Sequence, residues 1–403
     1  MTRPLEETVT RIRRQVGALL EGAWRPPGLC VPNADTYPHQ WLWDSCFHAV
    51  AWHALGDDRG ALELTNVLAR QDPSGFVPHM TYWHHPDLHR DFWGRSGTSI
   101  ITQPPMYGHA ARVLFEGAED AGRPALTDDL SGRIAGALRH LYLDRPRTPG
   151  GLVPVLHPWE TGCDDSPRWD GHRHRREPWR TTKSELVAAL RTGDDHGRRF
   201  VVGSIGFNAL LVWNTREYLR LPGAHRRDEL ASAADELAAA VTARWDGAAA
   251  TWIDDVDPTS DIAAHDDGRA AAIRTADTLT ALLVDPRPEA FDQLADPAAF
   301  AAPYGPRGVH IDEVTYRPDV YWRGPAWPQI SYLLWWAAKE GGADRVAETS
   351  ARSLVAGAER SGWAEYWHPE SGLGLGARPQ TWAGAALPAA QWLAERDAAP
   401  PSD

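Results

Sequence analysis

Lysine is nearly absent. It stands only at positions 183 and 339 of 403 residues, so positive charge is carried almost wholly by arginine. The formal net charge is −13, with no basic tract to offset it, which excludes nucleic acid as an expected partner. Cysteine is scarce as well. Cys30, Cys46 and Cys163 are an odd set without a C-x-x-C pair, which argues against a disulfide framework or zinc knuckle and fits a reducing cytoplasm. No run of about 18 apolar residues occurs, so no membrane span is expected. The longest candidate, 330–338, is too short and contains Ser331 and Tyr332. The first fifteen residues carry charge but no apolar core, so no secretory signal is read there and the expected location is the cytoplasm.

Helical periodicity is plentiful. Apolar spacing predicts helices over 6–21, 41–55, 59–70, 101–116, 127–143, 182–190, 205–219, 227–245, 269–283, 327–339, 343–361 and 381–396. Strand signals are short and confined to 152–156 and 251–255. Proline and glycine punctuate the helices, as at Pro73-Ser74-Gly75 and Pro149-Gly150-Gly151. A dozen helices joined by aromatic loops point to an all-α chain of helical hairpins closed into a ring. One domain is expected over 1–396, with a long loop insertion at about 146–200 and a disordered tail at 397–403.

Tryptophan is the positive outlier, with twenty copies, many of them in polar, glycine- and proline-rich segments as well as in helices. Flat indole faces stack on sugar rings, and the indole N–H bonds hydroxyls. Two of these aromatic segments also hold carboxylates. One is Glu160-Thr161-Gly162-Cys163-Asp164-Asp165-Ser166-Pro167-Arg168-Trp169-Asp170; the other is Trp363-Ala364-Glu365-Tyr366-Trp367. Glycosidic cleavage needs two acids, one kept protonated by an apolar setting and one ionised. Spacing leaves both Asp164 and Asp165 as candidates for the first acid, because aspartate also caps turns. Glu160 and Asp165 are expected to raise the pKa of Asp164, and Arg168 to offset part of that. Arg323, beside Trp322, reads either as a loop brace or as a contact to a polar or anionic aglycone.

Other signals are weak. His84, His85, His89, His172 and His174 lack the H-E-x-x-H form, so no metal or other cofactor is expected. The acidic stretch 254–267 lacks the glycine and terminal glutamate of a calcium loop. Gly372-Leu373-Gly374-Leu375-Gly376 does not follow a strand in a βαβ unit.

Five blocks, in order along the chain, resemble bacterial members of glycoside hydrolase family 63, in particular its mannosylglycerate and glucosylglycerate hydrolases. They are Tyr37-Pro38-His39-Gln40-Trp41-Leu42-Trp43-Asp44-Ser45, Thr102-Gln103-Pro104-Pro105, and His157-Pro158-Trp159-Glu160-Thr161-Gly162-Cys163-Asp164. The fourth is Tyr321-Trp322-Arg323-Gly324-Pro325-Ala326-Trp327-Pro328, and the fifth joins Glu365-Tyr366 to the segment 372–382. The resemblance implies an (α/α)6 barrel, or six-hairpin toroid, that inverts an α-glycoside. It places the general acid on Asp164 and the general base on Glu365. It makes Tyr37, Gln40, Trp41, Trp43 and Asp44 holders of the terminal sugar. Gln103, Trp159, Gly162, Trp322 and Trp327 are implied as lining of the same pocket, and Tyr321 and Gln380 as glycerate contacts.

The chain departs from that pattern after the acid loop. Arg180 stands in for an arginine of the glycerate-specific members, and Leu186 takes the place of a tyrosine, so the glycerate contacts are only partly matched. The expected substrate is a small soluble α-glycoside, with 2-O-α-glucosylglycerate or mannosylglycerate first. A trehalase-like or debranching α-glucosidase is the alternative. From other classes, a sugar epimerase and a non-catalytic carbohydrate-binding ring stay open, as does assembly into a homo-oligomer.

Overall fold

The computed structural model describes residues 3–118, 122–171, 179–193, 199–260 and 272–398. Among them are α1 (Arg3–Ala23), α2 (Leu42–Leu55), α3 (Arg59–Leu68), α4 (Arg90–Trp93), α5 (Tyr107–Phe115), α6 (Asp128–Leu143) and α7 (Trp179–Thr192). They continue as α8 (Ile205–Leu219), α9 (Arg227–Thr242), α10 (Pro288–Ala295), α11 (Pro328–Glu340), α12 (Asp344–Ser361) and α13 (Ala386–Ala398).

A helix that is apolar on all sides must be covered on all sides. That describes α2, buried from Leu42 to Trp52, and α8, buried from Ile205 to Thr215. Both belong to an inner ring. In turn, α2 packs on α5, α5 on α8, and α8 on the 3-10 helix Thr278–Leu283; that helix packs on α11, α11 on the 3-10 turn Thr381–Ala385, and the turn closes back onto α2. Outer helices carry one apolar stripe each and face inward. In α1, Ile12, Val16 and Leu20 are fully buried, as are Ala347, Ala351, Leu354 and Ala358 in α12. α3 pairs with α2, α9 with α8, α10 with the 3-10 helix Thr278–Leu283, α12 with α11 and α1 with α13, while α6 spans α3 and α9. The result is an (α/α)6 barrel, with the main apolar core running between the rings and a smaller cluster formed by Tyr82, Trp93, Ile101 and Val187.

Several helices start later than their periodicity predicts. The helix expected over 101–116 begins at Tyr107, because Pro104 and Pro105 exclude the helical conformation from the residues before them. Over 269–283, residues 272–277 are non-helical and 278–283 wind as a 3-10 helix. Over 381–396, a 3-10 turn precedes α13. The segment 152–156 forms no strand, only a bridge from Val155 to Val202, whereas Thr251–Trp252 and Asp255–Val256 each join a two-stranded pair. Asp397 and Ala398 end α13, and the rest of the expected tail lies outside the described residues. No described helix is long and apolar enough to cross a membrane.

Candidate active site

The segments that precede the inner elements meet at one end of the ring and enclose a cavity of about 210 Å³. Its lining joins residues from all five sequence blocks. Tyr37 and Trp41 come from the approach to α2, Trp43 and Asp44 from its first turn, and Gln103 from the approach to α5. Trp159, Gly162 and Asp164 come from the acid loop, Tyr321 and Trp322 from the approach to α11, and Glu365 and Gln380 from the segment before α13. Pro32 and Trp382 complete it, and neither was singled out in the sequence.

Asp164 sits in a loop held on every side. The turn Pro158–Thr161 ends at Gly162 with φ of 72°, and a Cβ there would meet the ring of Trp43 at 2.5 Å, so glycine lets the loop lie flat against that wall. Upstream, buried Glu160 receives Arg145 through both oxygens (2.6 and 2.8 Å) and accepts from the N–H groups of Thr102 and Leu156 (3.1 and 2.7 Å). Arginine therefore holds its carboxyl below the usual range, and Glu160 anchors the loop rather than pressing charge onto Asp164. Downstream, buried Arg168 binds Asp254, which accepts from the Ile205 N–H at the start of α8, and Asp277, which precedes the 3-10 helix Thr278–Leu283, so it clamps the loop to both. The expected offset to Asp164 comes instead from Lys183, on α7. Burial is the main cause that raises the Asp164 carboxyl, to about 7; Asp165 and Glu365 push the same way and Lys183 opposes them.

Glu365 is also buried, and its carboxyl is raised by desolvation, partly countered by the Ala377 N–H and the Tyr37 hydroxyl. The Tyr37 hydroxyl donates to Oε1 at 3.0 Å and the Ala377 N–H to Oε2 at 2.8 Å. Gly376, with φ of 68°, makes that second bond attainable, since a Cβ there would strike the carboxylate. A carboxylate has about four acceptor directions, so two donors leave room for a water.

The walls are aromatic. Trp322 has a left-handed φ of 56° and stacks on Trp327 at 3.7 Å and 5°, and Trp327 stacks in turn on Tyr366. Trp327 thus backs the wall without lining the cavity. Gln40 backs it too, donating to Ser45 Oγ and accepting from Trp83 Nε1. Asp44 lies in the first turn of α2, 3% exposed, its carboxyl pushed up by burial. Within the lining, Gln380 Oε1 and the indole N–H groups of Trp41 and Trp322 are buried without a protein partner, so polar ligand atoms would satisfy them.

Arg323 does not line the cavity. Its guanidinium is spent on Asp170 through two 2.6 Å bonds, a forked brace across the loop. Leu186 is 2% exposed in the apolar core. The side chain of Arg180, and His172 and His174, lie outside the described residues. Among the described residues, no histidine and no cation lines the cavity.

Among the described residues, one group of donors has metal-like spacing, Cys30 with His48 and Glu63. Its atoms are already engaged: Glu63 accepts from the Cys30 N–H (2.7 Å) and pairs with His48 Nδ1 (3.3 Å), while His48 Nε2 meets Thr381 Oγ1 (2.6 Å). These contacts tie α2, α3 and the turn that carries Trp382 into one brace.

The chain matches the mannosylglycerate hydrolase MGH1-like glycoside hydrolase domain over residues 37–383. It is 28% identical to a mannosylglycerate hydrolase of Thermus thermophilus, covering 88% of this chain and 94% of that one. It is 27% identical to a glucosylglycerate hydrolase of Mycolicibacterium hassiacum, covering 89% and 92%. The crystal structure of a family 63 mannosylglycerate hydrolase from Thermus thermophilus, in complex with Tris and D-glycerate, superposes with a TM-score of 0.79 at 26% identity, covering 94% of this chain and 99% of that chain.

Proposed function

This chain belongs to the mannosylglycerate hydrolase MGH1-like glycoside hydrolase family, and from that membership we propose that it is an inverting exo-α-glycosidase acting on a glyceric acid glycoside, 2-O-α-glucosylglycerate or mannosylglycerate. One observation carries the reading: Asp164 and Glu365, 201 positions apart by subtraction of their numbers, open onto the same aromatic cavity, and burial holds both carboxyls above their ordinary values.

The chemistry follows from the protonation each group needs. Asp164, raised to about 7, keeps its proton near neutrality and gives it to the glycosidic oxygen as the bond to the anomeric carbon breaks. Glu365, ionised, takes a proton from a water that attacks that carbon from the other face. Tyr37 and the Ala377 N–H fix its orientation and favour its charged form. The products are the free sugar, of opposite anomeric configuration, and the aglycone alcohol. Asp44 accepts from sugar hydroxyls, and Trp41, Trp43, Trp159 and Trp322 supply ring faces. The small cavity favours a single ring with a compact aglycone.

Relatives named for glycerate glycosides support the aglycone, as do Tyr321 and Gln380 in the lining. A second reading, an α-glucosidase on a neutral gluco-oligosaccharide, is favoured by the lack of a cation among the described lining residues and by the burial of Leu186. A screen of pure α-glycosides with free-sugar detection separates the two. Release of glucose or mannose from the glycerate glycosides supports the first reading; turnover of trehalose or maltose alone overturns it.

A further inference from the structure

Outside the lining, the acid loop carries an ion pair that the mechanism does not use. Lys183 Nζ lies 2.9 Å from Asp165 Oδ1, and the lysine as a whole is only 8% exposed. Its position is built from both ends. His157 accepts from the Trp159 N–H at Nδ1 (3.0 Å), which leaves its proton on Nε2, and Nε2 donates to the Lys183 carbonyl at 3.0 Å. His157 thereby pins the first turns of α7 to the acid loop. The ammonium lies 5.7 Å from the centre of the Trp159 ring, whose indole lines the cavity. Lys183 is one of two lysines in a chain that otherwise carries arginine. A compact ammonium acts as a point charge where a guanidinium acts as a fork.

We infer that Lys183 and Asp165 form an opposed-charge pair that sets the pH at which Asp164 gives up its proton, with Lys183 favouring release and Asp165 opposing it. Neither touches the reacting atoms, so both are positioning residues. The inference rests on the acid role given to Asp164 above. Among the described residues, the other groups that bear on Asp164 leave this task to the pair. Glu365 bears on Asp164 from the segment after α12, but it is the base and changes charge during turnover. Tyr37 and Tyr321 are phenols held neutral, their ionisation pushed up by burial first and then by the carboxylates. The Cys163 thiol is likewise held neutral by burial. Arg168 is bound to Asp254 and Asp277, and Arg323 to Asp170. Lys183 is the largest influence opposing burial at Asp164, and Asp165 is the next largest raising it.

The test reads Asp164 directly, with carbon NMR of protein labelled at the aspartate carboxyl carbon and the Asp164 signal assigned by its loss in Asp164→Asn. Lys183→Met should move the Asp164 titration to higher pH, because it removes a cation and leaves Asp165 unopposed. Asp165→Asn should move it to lower pH, because it removes an anion and keeps the cation. Lys183→Arg, which keeps the charge, should leave it near the wild-type position even if Lys183→Met folds poorly. A titration that stays put in Lys183→Met and Asp165→Asn, or moves the same way in both, overturns the pair's role. A rise in KM for glucosylglycerate with an unmoved titration also overturns it, and would assign Lys183 to substrate binding. Hydrolysis of glucosylglycerate at an undiminished rate in Asp164→Asn contradicts the acid role proposed above and leaves the electrostatic result readable.

Discussion

Asp164 has a carboxyl whose proton is held by enclosure more than by any partner, and this has consequences in rate. The roles proposed for the two acids require Asp164 protonated and Glu365 ionised, so kcat/KM should be bell-shaped in pH. The alkaline limb should fall as pH rises through about 7, where Asp164 loses its proton. The acid limb should fall at a pH above that of an ordinary glutamate, since burial raises Glu365. Initial rates across buffers of constant ionic strength check this, and a rate that does not fall as pH rises through about 7 would contradict it. Replacing Asp164 with Asn should lower kcat on glucosylglycerate by about 10²–10⁴, with KM little changed, because a general acid acts in the transition state. α-Glucosyl fluoride, whose leaving group needs no proton, should be largely spared. Equal losses on both substrates would mean the residue serves structure instead. Sequence spacing could not separate Asp164 from Asp165, nor show which cation governs the acid. Arg168 is nearer in the chain, yet its charge is consumed by Asp254 and Asp277, while Lys183 arrives from a helix.

The acid loop shows how an element with little regular structure is made rigid. Its two 3-10 turns, Pro158–Thr161 and Pro167–Trp169, each begin at a proline and each hold one member of an arginine–carboxylate pair: Glu160 in the first receives half-buried Arg145, and buried Arg168 in the second binds Asp254 and Asp277. Removing one member of such a pair strands a charge in the core and costs about 3–5 kcal/mol. Glu160→Ala should therefore destabilise the protein by about that amount, read as a lower urea midpoint, while Glu160 itself stays clear of the chemistry. A change under about 0.5 kcal/mol, the range of ordinary surface substitutions, would refute the anchoring role. Proline and tryptophan spacing made the loop visible in the sequence, but its anchors were not. Arg145 closes on Glu160 and Asp254 on Arg168 across 15 and 86 positions, and no local pattern encodes such closures. The same limit explains the two inner elements that wind as 3-10 helices. Periodicity marks the apolar face of 278–283 and 381–385 but does not distinguish three residues per turn from 3.6 over so short a run.

At the scale of the molecule, the six-hairpin ring was readable because its inner helices are apolar all round and its outer helices striped, a contrast that survives in the amino-acid order alone. α10 was not foreseen, since Pro288–Ala295 offers barely two turns of periodicity. The cavity became legible through motif resemblance more than through physics. Tyr37, Gln103, Asp164, Tyr321 and Glu365 are scattered over more than 300 positions, and only ring closure makes them neighbours. That convergence is the centre of the account: two distant acids acting on one sugar without a covalent intermediate. Proton NMR of the first minutes of glucosylglycerate hydrolysis tests it most directly, before the sugar equilibrates. The account predicts that β-glucose appears first and the α-anomer only later, by mutarotation; α-glucose as the initial product would contradict it.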